Sequence, residues 1–181
     1  GFSDPEDESG YSADDVLSLG FKKSARHCAL LEDTKPIDDV RPDEWDAVFL
    51  IGGQSPMFTF RGNEAVQKLV VDFHEAGNVT ALVCHATCVL LEARRPDGAL
   101  LVEGKTWTGF ADAEERFADA FVGRRIQPFW IEDEARKLGG TNFVVDQRFR
   151  DFAVRDGLLV TGQQQFSGAA AARLAIEALG R

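Results

Sequence analysis

Long apolar runs and clusters of basic residues are both missing from this chain of 181 residues. No stretch approaches the roughly 20 apolar residues that a membrane-spanning helix requires, so we expect no membrane partner. The 30 acidic residues outnumber the 20 lysines and arginines, and the formal net charge is -10. Because this charge repels nucleic acid and no basic patch offsets it, we expect no nucleic-acid partner either.

Cysteine is scarce as well. The chain has three cysteines, an odd number in a protein long enough to form a core without covalent cross-links, so no disulfide framework is expected. A reducing compartment suits free thiols, and the cytoplasm is the predicted location. The glycine-rich segments lack the G-x-G-x-x-G and G-x-x-x-x-G-K spacings of nucleotide-binding loops, and we therefore expect no cofactor.

The composition that is present, 44% hydrophobic and 28% charged, is typical of one globular domain over residues 1–181. Its clearest pattern is a strand, a helix and a second strand. The apolar run 46–51, ended by Gly52 and Gly53, indicates a strand buried on both faces, as does the run 79–83. Residues 63–76 between them have helical spacing. Such a crossover unit predicts an α/β fold with a mostly parallel sheet.

The remaining pattern adds shorter elements. It predicts helices at 14–19, 85–93, 111–120 and 131–138, strands at 100–102, 105–108 and 158–161, and a last helix from the N-cap Ser167 to Leu179. In α/β folds the functional loops lie at the carboxyl ends of the strands. We therefore expect Gly52-Gly53, Cys84 and Gly162-Gln163 at one edge of the sheet.

Cys84 stands where a buried strand ends and a helix is predicted to begin, and His85 follows it. A nucleophile at such a junction sits on a strained turn that lifts its side chain over the sheet edge. Helix amides and an adjacent imidazole favour the thiolate, so we interpret Cys84 as a reactive cysteine. Most free cysteines only fill space in a core, which is our interpretation of Cys28 and Cys88.

A metal site is the alternative for Cys84, His85 and Cys88. Zinc ligands usually come in paired clusters, and the other candidates, His27-Cys28 and His74, are isolated. We therefore predict no metal site. We expect His74 either on the solvated side of the 63–76 helix or in a capping contact.

Five segments occur in a recognisable order. They are Asp46-Ala-Val-Phe-Leu-Ile-Gly-Gly53, Ala81-Leu-Val-Cys-His-Ala86, Glu103-Gly-Lys-Thr-Trp-Thr-Gly-Phe110 leading to Glu114-Glu115, Gln127-Pro-Phe-Trp-Ile-Glu-Asp133, and Leu159-Val-Thr-Gly162. Together they resemble the ThiJ/PfpI superfamily, or DJ-one group, with its class I glutamine amidotransferase-like fold. The likeness covers residues 34–179. It is closest to the branch of heat-shock chaperones with glutathione-independent glyoxalase activity.

This resemblance implies a three-layer flavodoxin-like sandwich, a homodimer and a cysteine-dependent active site. Composition alone cannot select the acid of such a site from 30 candidates. The resemblance implies Cys84 as the nucleophile, His85 as its proton partner, and Glu115 rather than Glu114 as the acid that orients His85. The expected partner is a small-molecule carbonyl substrate.

The loop after the first apolar run is expected to bind that substrate. The amides of Gly53 and His85 resemble the oxyanion donors of the family, and Gly52 and Gln54 lie in the same loop. Relatives of this branch often carry Gly-Gly-His-Gly where this chain has Gly52-Gly-Gln-Ser55. We therefore expect the substrate pocket to differ from theirs.

The first residues of the chain also differ from the family pattern. Residues 1–9 resemble the loop that follows the second strand of such proteins, so the first strand and helix are expected to be missing from this chain. A sheet without that strand would have an unpaired buried edge. We therefore expect roughly 50 further N-terminal residues in the parent protein.

Three functions are compatible with these residues. The first is a cysteine enzyme that acts on small reactive carbonyls, such as a 2-oxoaldehyde converted into its 2-hydroxy acid. The second is hydrolysis or hydration by the same thiolate, as in amidases, peptidases or isonitrile hydratases, with Gln54 and Gln163–Gln165 lining a polar pocket. The third is a holding chaperone or redox sensor, marked by an exposed apolar patch or an oxidised Cys84.

Overall fold

The computed structural model of the protein describes residues 16–32 and 34–181, and it divides the chain into two compact units, up to Val40 and from Arg41 to Arg181. The prediction of one domain over residues 1–181 stays a prediction. In the first unit, helix α1 covers Val16–Lys22 and α2 covers Ala25–Cys28, and 3₁₀ turns follow at Ala29–Leu31 and Ile37–Asp39. The helix predicted at 14–19 therefore extends further, and its first two residues lie outside the described part.

The second unit contains a sheet and the remaining helices. In chain order its elements are β1 (Ala47–Leu50), α3 (Pro56–Thr59), α4 (Glu64–Glu75), β2 (Val79–Val83), β3 (Thr106–Trp107), α5 (Asp112–Val122), α6 (Ile131–Ala135), β4 (Asn142–Phe143), β5 (Ala153–Asp156), β6 (Leu159–Gly162) and α7 (Gly168–Ala178). The main sheet has the order β1-β2-β6-β5. Only β5 runs antiparallel to its neighbour, and β3 and β4 form a separate parallel pair.

The predicted unit of two strands and a crossover helix is confirmed. The side chain of Asn63 accepts hydrogen bonds from the first amides of α4, and Gly77, with φ 80°, follows the helix. All five residues of β2 are buried, so both faces of this strand are covered, and both α4 and α7 pack against it. The α/β sandwich with a mostly parallel sheet is therefore confirmed.

Strand β1 was predicted to be buried on both faces, and this is wrong. Phe49 is 37% exposed and Ile51, directly after the strand, is 65% exposed. Within the described residues β1 pairs with β2 alone, so it is an edge strand. An apolar run indicates a strand but not the number of its neighbours.

Other predicted elements differ in type or length. Residues 84–91 form a 3₁₀ helix instead of an α-helix, and α6 ends at Ala135 instead of 138. Residues 100–102 form turns, with a single bridge between Arg94 and Leu100 in place of the predicted strand. Strands β4 and β5 were not predicted because they are short and lack an apolar run. Ser167 precedes α7, but its side chain makes no capping bond there.

The register of the sheet decides which loops meet. Val83, the last residue of β2, is paired with Gly162, the last residue of β6. Cys84 and Gln163 therefore leave neighbouring strands side by side, as the sequence predicted. Within the described residues, no helix is both long enough and apolar enough to cross a bilayer.

Candidate active site

Cys84 has a strained backbone. Its φ of 62° lies in the left-handed region, which residues other than glycine rarely adopt. The strand β2 ends at Val83, and the 3₁₀ helix begins at Cys84 itself. The hydroxyl of Thr87 donates a 2.7 Å hydrogen bond to the carbonyl oxygen of Cys84 and so stabilises the turn. The predicted strained turn is confirmed.

Gly52 packs directly against this turn. A Cβ atom at Gly52 would lie 2.6 Å from the carbonyl oxygen of Val83, 2.7 Å from Cys84 Cβ and 3.0 Å from the amide nitrogen of His85. Only glycine allows this approach, because two of the three atoms belong to the backbone. Gly53 follows with a φ of 107°, which also requires glycine. The two loops that the sequence placed at one edge therefore touch.

Three side chains form a buried chain of polar contacts. Nδ1 of His85 lies 3.6 Å from Sγ of Cys84, and Nε2 of His85 lies 3.0 Å from Oε1 of Glu115. His85 and Glu115 are each 1% exposed, and Cys84 is also buried. The structure thus brings together the three residues that the sequence selected, and the acid in contact with His85 is Glu115.

The charge on His85 follows from these contacts. Burial disfavours the imidazolium and is the largest single effect, but the hydrogen bonds and charges of Cys84 and Glu115 together outweigh it and raise the pKa of His85 to about 9. Burial also raises the pKa of Glu115, against the opposing effect of its hydrogen bond with His85. At neutral pH we therefore describe His85 as a cation between a sulfur and a carboxylate.

The sequence reasoning did not single out Phe110, whose ring covers His85. The two ring centroids are 4.0 Å apart with an interplanar angle of 27°. The preceding residue, Gly109, has no room for a side chain, since a Cβ atom there would clash with the hydroxyl of Thr87 and approach Ile131. The only sequence signal was the Gly-Phe pair ahead of the acids.

Glu114 and the glutamines after β6 are buried away from solvent. Gln163 donates to the carboxylate of Glu114 and accepts from the amide of Asp146, and Gln164 donates to the carbonyl oxygen of Arg150. Both glutamines are fully buried. Their polar groups thus form hydrogen bonds inside the protein. The prediction that Gln163–Gln165 line a polar pocket is therefore wrong for Gln163 and Gln164.

The other candidate residues lie in different surroundings. Gln54 is partly buried, and its Oε1 has no hydrogen-bond partner among the described residues. Cys88 is fully buried, its thiol contacts the carbonyl oxygen of Pro56, and burial raises its pKa to about 12. Cys28 is partly buried, with its thiol on the carbonyl oxygen of Lys22. The interpretation of Cys88 as a packing residue is confirmed.

His74 does not lie on a fully solvated surface, which was one of the two expectations for it. It is half-buried, and burial followed by the charge of Lys105 lowers its pKa. In the part of the chain that the structure describes, no group of three or more histidine, cysteine or acidic side chains could hold a metal ion.

A surface depression of about 430 Å³, lined by residues 42–46, Ala76 and Asn78, lies at the amino ends of β1 and β2, the opposite end from Cys84.

Comparison with known proteins identifies the class. Residues 20–178 match the DJ-1/PfpI family, and the chain belongs to this family. The resemblance to the ThiJ/PfpI superfamily is thereby confirmed.

Individual relatives agree with this assignment. The chain is 30% identical over 154 residues to the probable glutathione-independent glyoxalase hsp3103 of Schizosaccharomyces pombe, and the match covers 83% of this chain and 59% of that protein. The crystal structure of glyoxalase III from Candida albicans has a TM-score of 0.72 and 26% identity, covering 91% of this chain and 67% of that one. The Rapid Encystment Protein of Francisella tularensis, with a TM-score of 0.80 over 92% of this chain and 73% of that one, is 21% identical and shows the fold alone.

Proposed function

We propose that this protein is a cofactor-independent cysteine enzyme that converts a 2-oxoaldehyde into its 2-hydroxy acid. The observation that carries the proposal is the buried contact chain from Cys84 through His85 to Glu115, built on a strained turn. The names of the relatives, which are glutathione-independent glyoxalases, support the same reaction class. The chain spans 59% of the length of the fission-yeast relative.

The first step is nucleophilic addition. A cationic His85 at 3.6 Å places a positive charge beside Sγ of Cys84, which supports attack of the sulfur on the aldehyde carbon. A bond forms between sulfur and C1, and the former carbonyl oxygen becomes an oxyanion that takes a proton from His85. The amides of Gly53 and His85 are the proposed oxyanion donors, which fits the close approach of the Gly52 loop to the amide of His85.

The second step moves a hydrogen between adjacent carbons. Neutral His85 removes the proton from C1, the electrons pass to the C2 carbonyl, and His85 returns the proton to C2. The hydroxyl proton on the C1 oxygen passes to the C2 oxygen as the C1 carbonyl forms again. The product is a thioester of the 2-hydroxy acid on Cys84. Water then attacks the thioester carbon and gives a proton to neutral His85, the bond to sulfur breaks with its electron pair left on sulfur, and the acid leaves. Glu115 contacts Nε2 of His85 and holds its ring in the orientation that these transfers need.

Incubation with methylglyoxal, with lactate as the measured product, tests the proposal. We expect the parent protein to form lactate and Cys84→Ala to form none. Cys28→Ser is the matched control, because the thiol that it removes contacts backbone carbonyl oxygens of its own segment, and it should retain the parent rate. Equal rates of lactate formation in Cys84→Ala and the parent protein would refute the proposal.

An exposed aromatic cluster favours a holding chaperone as a second candidate function. The ring of Phe149 lies 5.2 Å from that of Phe117 and 6.3 Å from that of Phe166, and Arg148 covers Phe117 at 4.6 Å. Phe117 is 44% exposed and Phe166 is 59% exposed. Exposed apolar patches mark protein interaction sites, and this cluster supports a surface that holds unfolded chains.

Protection of a heat-denatured client enzyme from aggregation, followed by light scattering, separates the two functions. If the cluster binds clients, Phe166→Ser loses protection, whereas Cys84→Ala and the exposed control Phe58→Ser keep it. Loss of protection in Phe58→Ser alone would contradict this assignment. The expected homodimer stays a prediction, which sedimentation equilibrium would test.

A further inference from the structure

Glu114 is a fully buried carboxylate that the proposed reaction does not use. Its side chain is 0% exposed, and among the described residues it forms no ion pair. Three donors surround it instead: the amide of Ala111 contacts Oε2 at 2.9 Å, while the amide of Phe149 at 3.0 Å and Nε2 of Gln163 at 2.8 Å both contact Oε1. A buried carboxylate is stable only when its oxygens are satisfied in this way.

These three donors come from three different segments. Ala111 precedes the first turn of α5, Phe149 lies in the loop between β4 and β5, and Gln163 follows β6. Phe149 has a φ of 61°, a strained value that only surrounding contacts can maintain. Gln163 adds a second link to this loop, since its Oε1 accepts from the amide of Asp146. One carboxylate therefore ties the start of α5 to the loop 146–149 and to the end of β6.

The three segments that Glu114 joins meet next to the candidate active site. Because Val83 pairs with Gly162, Gln163 leaves the sheet beside Cys84. Glu115 follows Glu114 in the first turn of α5, and its side chain runs to His85 while that of Glu114 runs to Gln163. The two consecutive glutamates thus connect one helical turn to the two strand ends that flank the nucleophile.

We propose that Glu114 is a positioning residue, which holds the first turn of α5 so that Oε1 of Glu115 stays within hydrogen-bond distance of Nε2 of His85. This inference deepens the proposed function and rests on it. Both the charge and the shape of the Glu114 side chain are needed to hold the turn, because only a carboxylate accepts from all three donors. A glutamine of the same size would turn its NH₂ group toward at least one of them and leave both groups unsatisfied.

The variant Glu114→Gln tests the proposal through the titration of His85. The chain has three histidines, so the imidazole NMR signals of His85 can be assigned by their loss in His85→Gln. Burial lowers the pKa of His85, while Cys84 and Glu115 raise it to about 9, so we expect the parent protein to titrate near pH 9. If Glu115 is displaced, the midpoint should fall by about one pH unit or more, because an opposite charge is weakened.

Turnover of methylglyoxal gives a second readout. We expect kcat of Glu114→Gln to fall about 10- to 100-fold with KM nearly unchanged, as for a displaced catalytic group. If the parent protein shows no turnover, the proposed function fails, but the His85 midpoint still decides whether Glu114 positions Glu115.

Ser167→Ala is the matched control. The hydroxyl of Ser167 is equally buried and accepts from the amides of Phe152 and Gln164 in the same loop region, but it has no bond to α5. It should lower thermal stability without moving the His85 midpoint. Equal midpoints in Glu114→Gln, Ser167→Ala and the parent protein would overturn the proposal. If Glu114→Gln does not fold, Gln163→Met removes one donor to the same carboxylate, and an unchanged midpoint there overturns it likewise.

Discussion

Gly52 and Cys84 lie so close together that no side chain fits between them. A Cβ atom at Gly52 would stand 2.7 Å from Cys84 Cβ and 2.6 Å from the carbonyl oxygen of Val83. The strained turn at Cys84 and the loop after β1 therefore determine each other's position. A substitution at Gly52 should therefore displace Cys84, although Gly52 itself has no reactive group.

Gly52→Ala should displace the turn at Cys84, because the clashing carbonyl oxygen belongs to the backbone and cannot rotate away. We expect a loss of about 1–3 kcal/mol in the free energy of unfolding, as for an overpacked core, and a large loss of methylglyoxal turnover. Gly168→Ala is the control: nothing lies within 4 Å of its Cβ position and its φ is -60°. That control should be neutral or slightly stabilising. Equal effects of the two substitutions in urea unfolding would disprove the steric argument.

Phe110→Leu should lower the pKa of His85. A phenyl face stacked on an imidazolium stabilises the charged form by about 0.5–1 kcal/mol or more when the pair is buried, and leucine cannot replace this. The His85 midpoint in an NMR titration should fall below the parent value. Phe143→Leu is the control, since Phe143 contacts Trp107 instead of His85. A midpoint that moves equally in both variants would argue against the stacking effect.

The stability of the protein should fall as pH rises from about 6.5 to about 9. His85 has a folded-state pKa of about 9 against an ordinary value of 6.5. A raised pKa adds stability that is fully present below the unfolded value and is lost as pH passes through the folded value. At about 1.4 kcal/mol for each pH unit between the two pKa values, the contribution is at most about 3 to 4 kcal/mol.

Urea unfolding at several pH values measures this slope. His85→Gln should flatten the curve between pH 6.5 and 9. His74→Gln should leave the fall in stability in place, because a group whose folded-state pKa is lowered contributes no loss of stability as pH rises. A parent curve that is flat or rises over this range would contradict the assigned charge of His85.

Cys84 should react with iodoacetamide at neutral pH well before Cys88. Thiolates are the reactive species, and Cys84 has an imidazolium beside it, whereas Cys88 is buried with a pKa of about 12. Mass mapping of the alkylated peptides gives the two rates in one sample. His85→Gln should slow the modification of Cys84 at neutral pH. Labelling of Cys84 only after unfolding, as expected for Cys88, would remove the basis for an enzymatic function.

The elements that the sequence predicted best are those with local signals. The apolar run of β2 and the capped, amphipathic helix α4 were correctly placed, because burial and capping leave a pattern in consecutive residues. The 3₁₀ form of residues 84–91 was missed. All eight of these residues are buried, so their spacing has no polar side from which to read the helical period.

The site was predicted in part for the same reason. Cys84 and His85 stand at a strand end that the pattern reveals, and the family resemblance pointed to Glu115. Phe110 and Glu114 were not predicted to act on the site. A phenylalanine and a glutamate are ordinary residues at the start of a helix, and their roles depend on neighbours 25 and 49 residues away in the chain.

The amino-acid sequence by itself determined the parallel strand and helix unit, the cysteine at its edge and the acidic charge of the whole chain, since these depend on composition and on neighbours along the chain. Only the tertiary structure decided that β1 has a single neighbouring strand among the described residues, that Gly52 touches the turn at Cys84, and that Glu114 faces Gln163. Such choices depend on the register of strands far apart in sequence, and a shift of one residue in that register would send each side chain to the opposite face.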